Sequence, residues 1–235
     1  MTRQEQKAAA FRALHAAEPF VIPNPWDAGS ARILEALGFR ALATTSSGFA
    51  FTLGRRDGEA TLDEVVEHTA ALDRATMLPL SVDLENCYGA ATRDVVQAVT
   101  RVAEAGAVGC SIEDYDRSEG IYDLDHATER VAGAVDAALQ AYERAGADVL
   151  YAPGLETVEE IRAVCGAVSR PVNVLARPDL SLRQLVDAGA RRISVGGALT
   201  WVAAAAMASA ATAIRDRGDF SPLAVTLPLH EWLTT

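Results

Sequence analysis

Short apolar runs alternate with helical stretches along the chain, and one junction recurs four times, at Leu34–Ser46, Val102–Asp114, Tyr142–Gly154 and Leu185–Gly197. In each copy a helical stretch ends at a glycine, one to three residues follow, and a short apolar run gives way to small or polar residues. Glycine just past the last turn suits the left-handed residue that ends a helix. A run that is apolar throughout suits a strand covered on both faces. Three further runs, Pro19–Pro23, Leu78–Leu84 and Pro171–Leu175, bring the predicted strands to seven, centred near residues 21, 43, 81, 110, 150, 173 and 194. Helices are predicted over Ala28–Leu37, Leu62–Ala75, Arg93–Ala105, Val158–Val168 and Ser181–Asp187, with one long amphipathic helix over His126–Ala145. This alternation predicts an α/β fold with a parallel sheet. No GxGxxG follows any strand, and polar residues stand at the C-terminal ends of most strands. Both features favour a (β/α)8 TIM-type barrel over an open doubly wound sheet. The strand count is one short. The strands near 110 and 150 have no strand signal between them, so an eight-stranded barrel is short of one strand and one helix there.

Composition narrows the picture. The 235 residues, half of them hydrophobic, suffice for a single barrel domain with its own core. No uncharged apolar stretch is read as a membrane span, and the charged N-terminus is not read as a signal peptide. A net charge of −11 argues against a nucleic-acid partner. Cys87, Cys110 and Cys165 lie in no metal-binding spacing and suggest a reducing, cytoplasmic setting. Of the basic residues only Lys7 is a lysine, and it precedes the first strand, which excludes a Schiff-base aldolase. There is no GxSxG, and the four histidines fall in helical or terminal stretches, as packing or surface groups would.

The candidate chemistry lies in two neighbouring strands. In Leu80-Ser81-Val82-Asp83-Leu84-Glu85, positions i and i+2 share a face, so Ser81, Asp83 and Glu85 point one way. The next strand does the same with Ser111 and Glu113. Adjacent parallel strands lie about 4.8 Å apart, so Asp83, Glu85 and Glu113 can converge at the barrel mouth. Clustered carboxylates need protons or a cation, and a hard divalent ion that keeps its waters, Mg2+ foremost, fits oxygen ligands. The plainer alternative is that these acids cap helices or lie in exposed loops. Thr44-Thr45-Ser46-Ser47-Gly48 offers accessible N–H groups for a carboxylate or oxyanion, or forms an ordinary turn. Asp27 reads as a helix N-cap, and Cys87 as a small residue filling a turn.

Taken in order, FVIPNPWDAGSARILEALGF, ATTSSGFAFTLGRRDG, SVDLENCYG, GCSIED, AGADVLYAPGL, PVNVL and RRISVG resemble the isocitrate lyase/phosphoenolpyruvate mutase superfamily, from about Phe11 to Gly197. The resemblance implies a (β/α)8 barrel and a Mg2+ site, with Mn2+ as a substitute, that holds a small oxo- or hydroxy-carboxylate. It makes Asp83 the direct metal ligand and Glu85 and Glu113 acids bound directly or through metal waters. Asp57 becomes a supporting acid and, with Glu113, a candidate for catalysis. Ser47, Gly48 and Phe49 match the loop whose N–H groups hold the substrate, and Asn173 matches a substrate-binding position. The implied activity is carbon–carbon lysis or decarboxylation of an oxo- or hydroxy-dicarboxylate through an enolate. The alternatives are phosphonomutase-like P–C chemistry and a non-catalytic oxoacid- or metal-binding relative. Homotetramers or homodimers are implied, with the C-terminal helices (about 200–233) as the segment exchanged between subunits.

The sequence also departs from the family. The segment Tyr115–Tyr122 lacks the KKCGH of the lyases and the Lys and Asn of the mutases. The family's fifth β/α unit, with its strand arginine, has no counterpart, and the resemblance places the join near Ala138–Leu139; Pro153 stands at a sixth-strand position often held by Glu or His, and Cys87 replaces a glycine.

Overall fold

The protein is described by a computed structural model at residues 1–118, 120–142, 149–151 and 154–233. It opens with a helix absent from the sequence reading, α1 (Arg3–Ala16), followed by β1 (Phe20–Ile22), α2 (Ala28–Ala36), β2 (Leu42–Ala43) and a short α3 (Ser46–Thr52). Then come α4 (Leu62–Ala75), β3 (Leu80–Asp83), α5 (Thr92–Glu104) and β4 (Gly109–Ser111). A small hairpin, β5 (Tyr115–Asp116) and β6 (Gly120–Ile121), leads into the long α6 (Leu124–Tyr142). The chain continues through β7 (Leu150–Tyr151), α7 (Val158–Ala167), β8 (Val172–Leu175), α8 (Leu182–Asp187), β9 (Arg192–Ser194), α9 (Ala198–Arg217) and α10 (Leu229–Leu233).

The predicted helix–strand junction is visible in three copies. Gly38, Gly106 and Gly189 have φ of 86°, 109° and 107°. In each, the residue after the glycine donates its N–H back to the fifth residue before it: Phe39 to Leu34, Ala107 to Val102, Ala190 to Leu185. That is the helix-ending motif the glycine makes possible. The fourth copy, around Gly146, lies outside the described residues.

All seven predicted strands form, and they pair in parallel as β2–β3–β4 and β1–β9–β8–β7. The two ladders are joined by Ala43 N–H donating to Pro23 O (3.1 Å). The buried Asn24 amide strengthens this seam, donating to Thr44 O and accepting from Val195 and Gly196 N–H. The strand order is therefore β4-β3-β2-β1-β9-β8-β7, with β4 and β7 unpaired to each other among the described residues. At the predicted join, α6 runs as one helix through residues 138 and 139 and packs along α5.

Strand alternation sorts the side chains. Leu42, Leu80, Val82 and Cys110 pack outward against α2, α4 and α5, and Val172, Val174 and Ile193 pack against α7 and α8. Ser81, Asp83, Ser111, Asn173, Arg192 and Ser194 occupy the alternate, inner positions. At the N-terminal ends of the strands, α1 supplies Ala8 and Phe11 to a small core with Phe20 and Ile22. There the buried Lys7 pairs with Asp73 at 2.6 Å and donates to Thr76 O at 2.9 Å. Burial lowers its pKa against the pull of Asp73. This lysine is thus committed to docking α1, at the opposite end of the strands from the acids.

One sequence expectation needs correcting. Helix α9 is long and apolar enough to cross a membrane by length and composition, and only 11% of its apolar stretch is buried. Its apolar character comes largely from alanine, beginning directly after the β9 turn at Gly197. Ser, Thr and Gly interrupt this charge-free run, so it is not apolar throughout.

Candidate active site

The ends of β3 and β4 carry the acids. Beyond the regular strands the two segments stay tied, with Leu84 N–H donating to Ser111 O (3.0 Å) and Glu113 N–H to Glu85 O (2.7 Å). This carries Glu85 and Glu113 side by side to the same end as Asp83. The Asp83 carboxylate accepts from Ser46 N–H (3.1 Å) at the start of α3 and from Glu85 N–H (3.3 Å), while its own N–H donates to Thr44 Oγ1 (2.8 Å). Asp57 enters from the loop between α3 and α4.

Electrostatics show that the four acids share one environment. Burial, then the charges of Asp57 and Asp83, push Glu85 up to about 7. Burial, then Asp83 and Asp57, push Glu113 up to about 7. Asp83 is also raised, chiefly by burial, against the N–H groups of Ser46 and Glu85 that favour its charge. The buried Tyr88 hydroxyl beside them has no hydrogen-bond partner in the structure, and burial pushes its pKa up. Among the described residues no three carboxylate, imidazole or thiol groups stand close enough to hold an ion by themselves. The donor set instead suits a cation that keeps part of its water shell: hard oxygen ligands carrying more negative charge than the site neutralises.

The other expected residues are placed differently. Gly48 N–H points to Thr45 Oγ1 (3.4 Å) and Phe49 N–H donates to Thr45 O (3.0 Å), so the first turn of α3 uses both. The Phe49 ring stacks on His68, with centroids 4.0 Å apart, and burial lowers that imidazole to about 4. Gly48 is packed so closely that a Cβ would meet Thr200 Oγ1. Of this turn, Ser46 N–H reaches an acid, and Ser47 Oγ lies 3.2 Å from Thr45 Oγ1. Asn173 is buried with both ends of its amide engaged: it donates to Ser194 Oγ (3.0 Å) and accepts from Arg192 Nε (2.9 Å). Pro153 lies outside the described residues. Asp27 caps α2 by accepting from Ser30 N–H at 2.7 Å. Cys87 is buried with its thiol pKa pushed up by burial, so it is unreactive near neutrality.

Sequence reasoning missed two arginines here. Arg117, at the turn of the β5–β6 hairpin, lies 3.5 Å from Asp57. Arg130, on α6, is buried and donates to Gly89 O (2.7 Å), Ala90 O (2.6 Å) and Asn86 O, with its guanidinium 4.7 Å over the Tyr122 ring. The loop it grips holds three non-glycine residues in the left-handed region, Glu85 (φ 49°), Cys87 (62°) and Tyr88 (63°). Left-handed backbone at such residues persists only where surrounding contacts enforce it. The usable sequence signal was an arginine on the apolar stripe of α6.

The sequence profile of the phosphoenolpyruvate phosphomutase family matches residues 11–141 and 137–215, two stretches that meet at the predicted join. A Mycobacterium tuberculosis protein of uncharacterised activity is 30% identical over 240 residues, covering 90% of each chain. An oxaloacetate decarboxylase of Rhodopseudomonas palustris is 28% identical over 248 residues, covering 89% of this chain and 85% of that one. A crystal structure from Burkholderia cenocepacia, described provisionally as a lyase/mutase, is 42% identical with a TM-score of 0.92, covering 100% of this chain and 98% of that one.

Proposed function

The chain belongs to the phosphoenolpyruvate phosphomutase family, within the isocitrate lyase/phosphoenolpyruvate mutase superfamily, and on that footing we propose that it is a Mg2+-dependent carbon–carbon lyase or decarboxylase of a small oxo- or hydroxy-dicarboxylate. The observation that carries this reading is the convergence of Asp57, Asp83, Glu85 and Glu113 in one environment, two of them pushed up to about 7. Mn2+ serves as a substitute metal. The similarity to an oxaloacetate decarboxylase supports the substrate class. The fold that goes with it is a (β/α)8-type barrel lacking its fifth unit, its opening between β4 and β7, formed by a single domain.

When bound, Mg2+ would polarise the substrate carbonyl and offset the negative charge that develops as the carbon–carbon bond breaks. Asp83 would hold it directly, kept in place by Ser46 and Glu85 N–H, and Glu85 and Glu113 would hold its waters. Ser47 Oγ and the α3 turn would orient the substrate carboxylate, with Gly48 and Phe49 shaping that turn from within. Asn173 would act through Arg192 and Ser194, which it fixes. Bond cleavage leaves an enolate, whose carbon needs a proton. Glu113, just past the end of β4, would hold that proton on its carboxyl oxygen and deliver it. Asp57, near enough for its charge to raise Glu113, would favour the protonated carboxyl.

The profile match favours one second reading, P–C chemistry of the phosphonomutase kind. Oxaloacetate, 2-methylisocitrate and phosphonopyruvate assayed with and without Mg2+ separate the readings. Mg2+-dependent release of pyruvate from either of the first two is the expected result. Turnover of phosphonopyruvate alone supports the mutase, and binding of oxoacids without turnover of any supports a non-catalytic relative.

We assign the enzyme to the cytoplasm as a homotetramer or homodimer without a membrane or nucleic-acid partner. The support is an apolar surface along α9 and the segment after it: Trp201, Val202, Met207, Phe220 and Leu223 are all exposed. Helix α10 packs on α2 of its own chain, so the candidate for exchange narrows to α9. Light scattering is expected to give the mass of four or two chains, and a monomer would exclude that role.

A further inference from the structure

A four-carbon oxo-dicarboxylate brings two anionic ends to a site already lined by Asp57, Asp83, Glu85 and Glu113. A divalent ion can compensate one end. The other meets repulsion unless a second cation faces it, because like charges in a poorly solvated site repel strongly. Arg117 is placed for that task. Its charge acts on both Glu85 and Glu113, so it stands at the same mouth. Its hairpin is anchored rather than loose: Asp116 accepts from Asn86 Nδ2 (2.8 Å) on one oxygen and from Ser118 N–H (2.8 Å) on the other, and Tyr122 N–H closes the hairpin base on Asp114 O (2.8 Å).

The seat of the guanidinium is built into the facing loop. Gly58 has φ +77°, and a Cβ there would overlap Arg117 Nε and Cζ. Glycine therefore suits the left-handed backbone, and any side chain there would displace the arginine tip. Among the described residues Arg117 is held against this seat by the pairing with Asp57 at 3.5 Å, and both side chains are about half exposed. An exposed pair at that distance contributes little stability. Among the described residues that pairing leaves most of the five N–H donors of the guanidinium for a ligand, and its planar fork matches a carboxylate.

We infer that Arg117 recognises the carboxylate of the substrate farthest from the metal, exchanging its pairing with Asp57 for a forked pair with the ligand, so that the site selects dicarboxylates. This deepens the proposed function and rests on it. Nothing in the sequence marks this arginine, because the cationic group comes from a hairpin tip and not from a strand end.

Calorimetry on the Mg2+-saturated protein with two unreactive ligands tests the inference. Oxalate has no distal carboxylate once both of its ends engage the metal, whereas 3,3-difluorooxaloacetate carries one. Arg117→Met is expected to weaken difluorooxaloacetate about tenfold or more, the scale of losing one charge-assisted forked pair, and to leave oxalate within about twofold. Arg117→Lys should fall between. Gly58→Ala should mimic Arg117→Met by unseating the guanidinium. Equal affinity of wild type and Arg117→Met for difluorooxaloacetate, or a parallel loss for both ligands, overturns the inference and leaves the proposed function standing. Failure of the wild type to bind either ligand overturns both.

Discussion

Replacing Asp83 by Asn is expected to lower turnover at least about a thousandfold, the scale of removing one main electrostatic stabiliser from a water-poor site, while the protein stays folded. The substitution keeps the side-chain shape and one oxygen to accept from Ser46 or Glu85 N–H, so the junction of β3 with α3 survives. What it removes is the innermost charge of the acid cluster. Burial raises the pKa of Asp83, so its ionised form is a liability until a cation arrives. Thermal unfolding without metal should thus show an unchanged or higher Tm for Asp83→Asn at pH 8, together with lost stabilisation by Mg2+. The wild type supplies the matching pH dependence. Glu85 and Glu113 titrate near 7 in the fold against an ordinary 4.5, so between those values the folded state binds more protons than the unfolded one. Stability without metal must fall as pH rises through that window, and Mg2+ should restore it at pH 8 but not at pH 5. Near-normal turnover in Asp83→Asn, or a Tm that rises with pH from 5 to 8 without metal, would place the metal elsewhere.

The two results share one cause. Ser81 and Asp83 lie on one face of β3, a local alternation written in the sequence, whereas Glu85, expected to continue it, lies past the strand end with a left-handed backbone (φ 49°) and is brought to Glu113 by the tie between the two segments. Equally local are the helix-ending glycines Gly38, Gly106 and Gly189, whose left-handed backbone followed from the residue type. What stayed hidden depends on contacts distant along the chain. Helix α1 buries Lys7, Ala8 and Phe11 against segments far along the chain, and a stretch with so few large apolar residues carries no clear stripe. The family resemblance places Gly48 and Phe49 in a loop whose N–H groups hold the substrate. In the fold Thr45 caps the turn and uses both N–H groups, a competition that Ser and Thr often win at helix starts. The resemblance makes Asn173 a substrate-binding position, and the register of β8 on β9, which no local pattern shows, puts Arg192 and Ser194 on either side of its amide. Arg117 reaches the acids through a hairpin whose pairing no periodicity announces.

Arg130 gives the second large effect. Arg130→Met should cost about 3 kcal/mol of stability, since each hydrogen bond from a charged donor contributes about 1.5–3 kcal/mol and methionine returns only the packing of the stem. For a chain of this length that corresponds to a Tm lower by about 6–12 °C. The buried guanidinium faces three carbonyls and an aromatic ring, and among the described residues no carboxylate pairs with it. Its function is to hold the 86–90 loop in a conformation that Glu85, Cys87 and Tyr88 would otherwise leave. Without the clamp the left-handed residues relax, and Glu85, at the start of the loop, swings away from Asp83 and Glu113. Activity should therefore fall further than the unfolded fraction explains, with weaker Mg2+ binding measured well below the Tm. Arg130→Lys should rescue only in part, because a single ammonium cannot fork across carbonyls at Asn86, Gly89 and Ala90. A merely structural arginine would lower Tm and leave the metal affinity of the folded fraction unchanged. That split decides whether α6, the helix that crosses the predicted join, also positions the site.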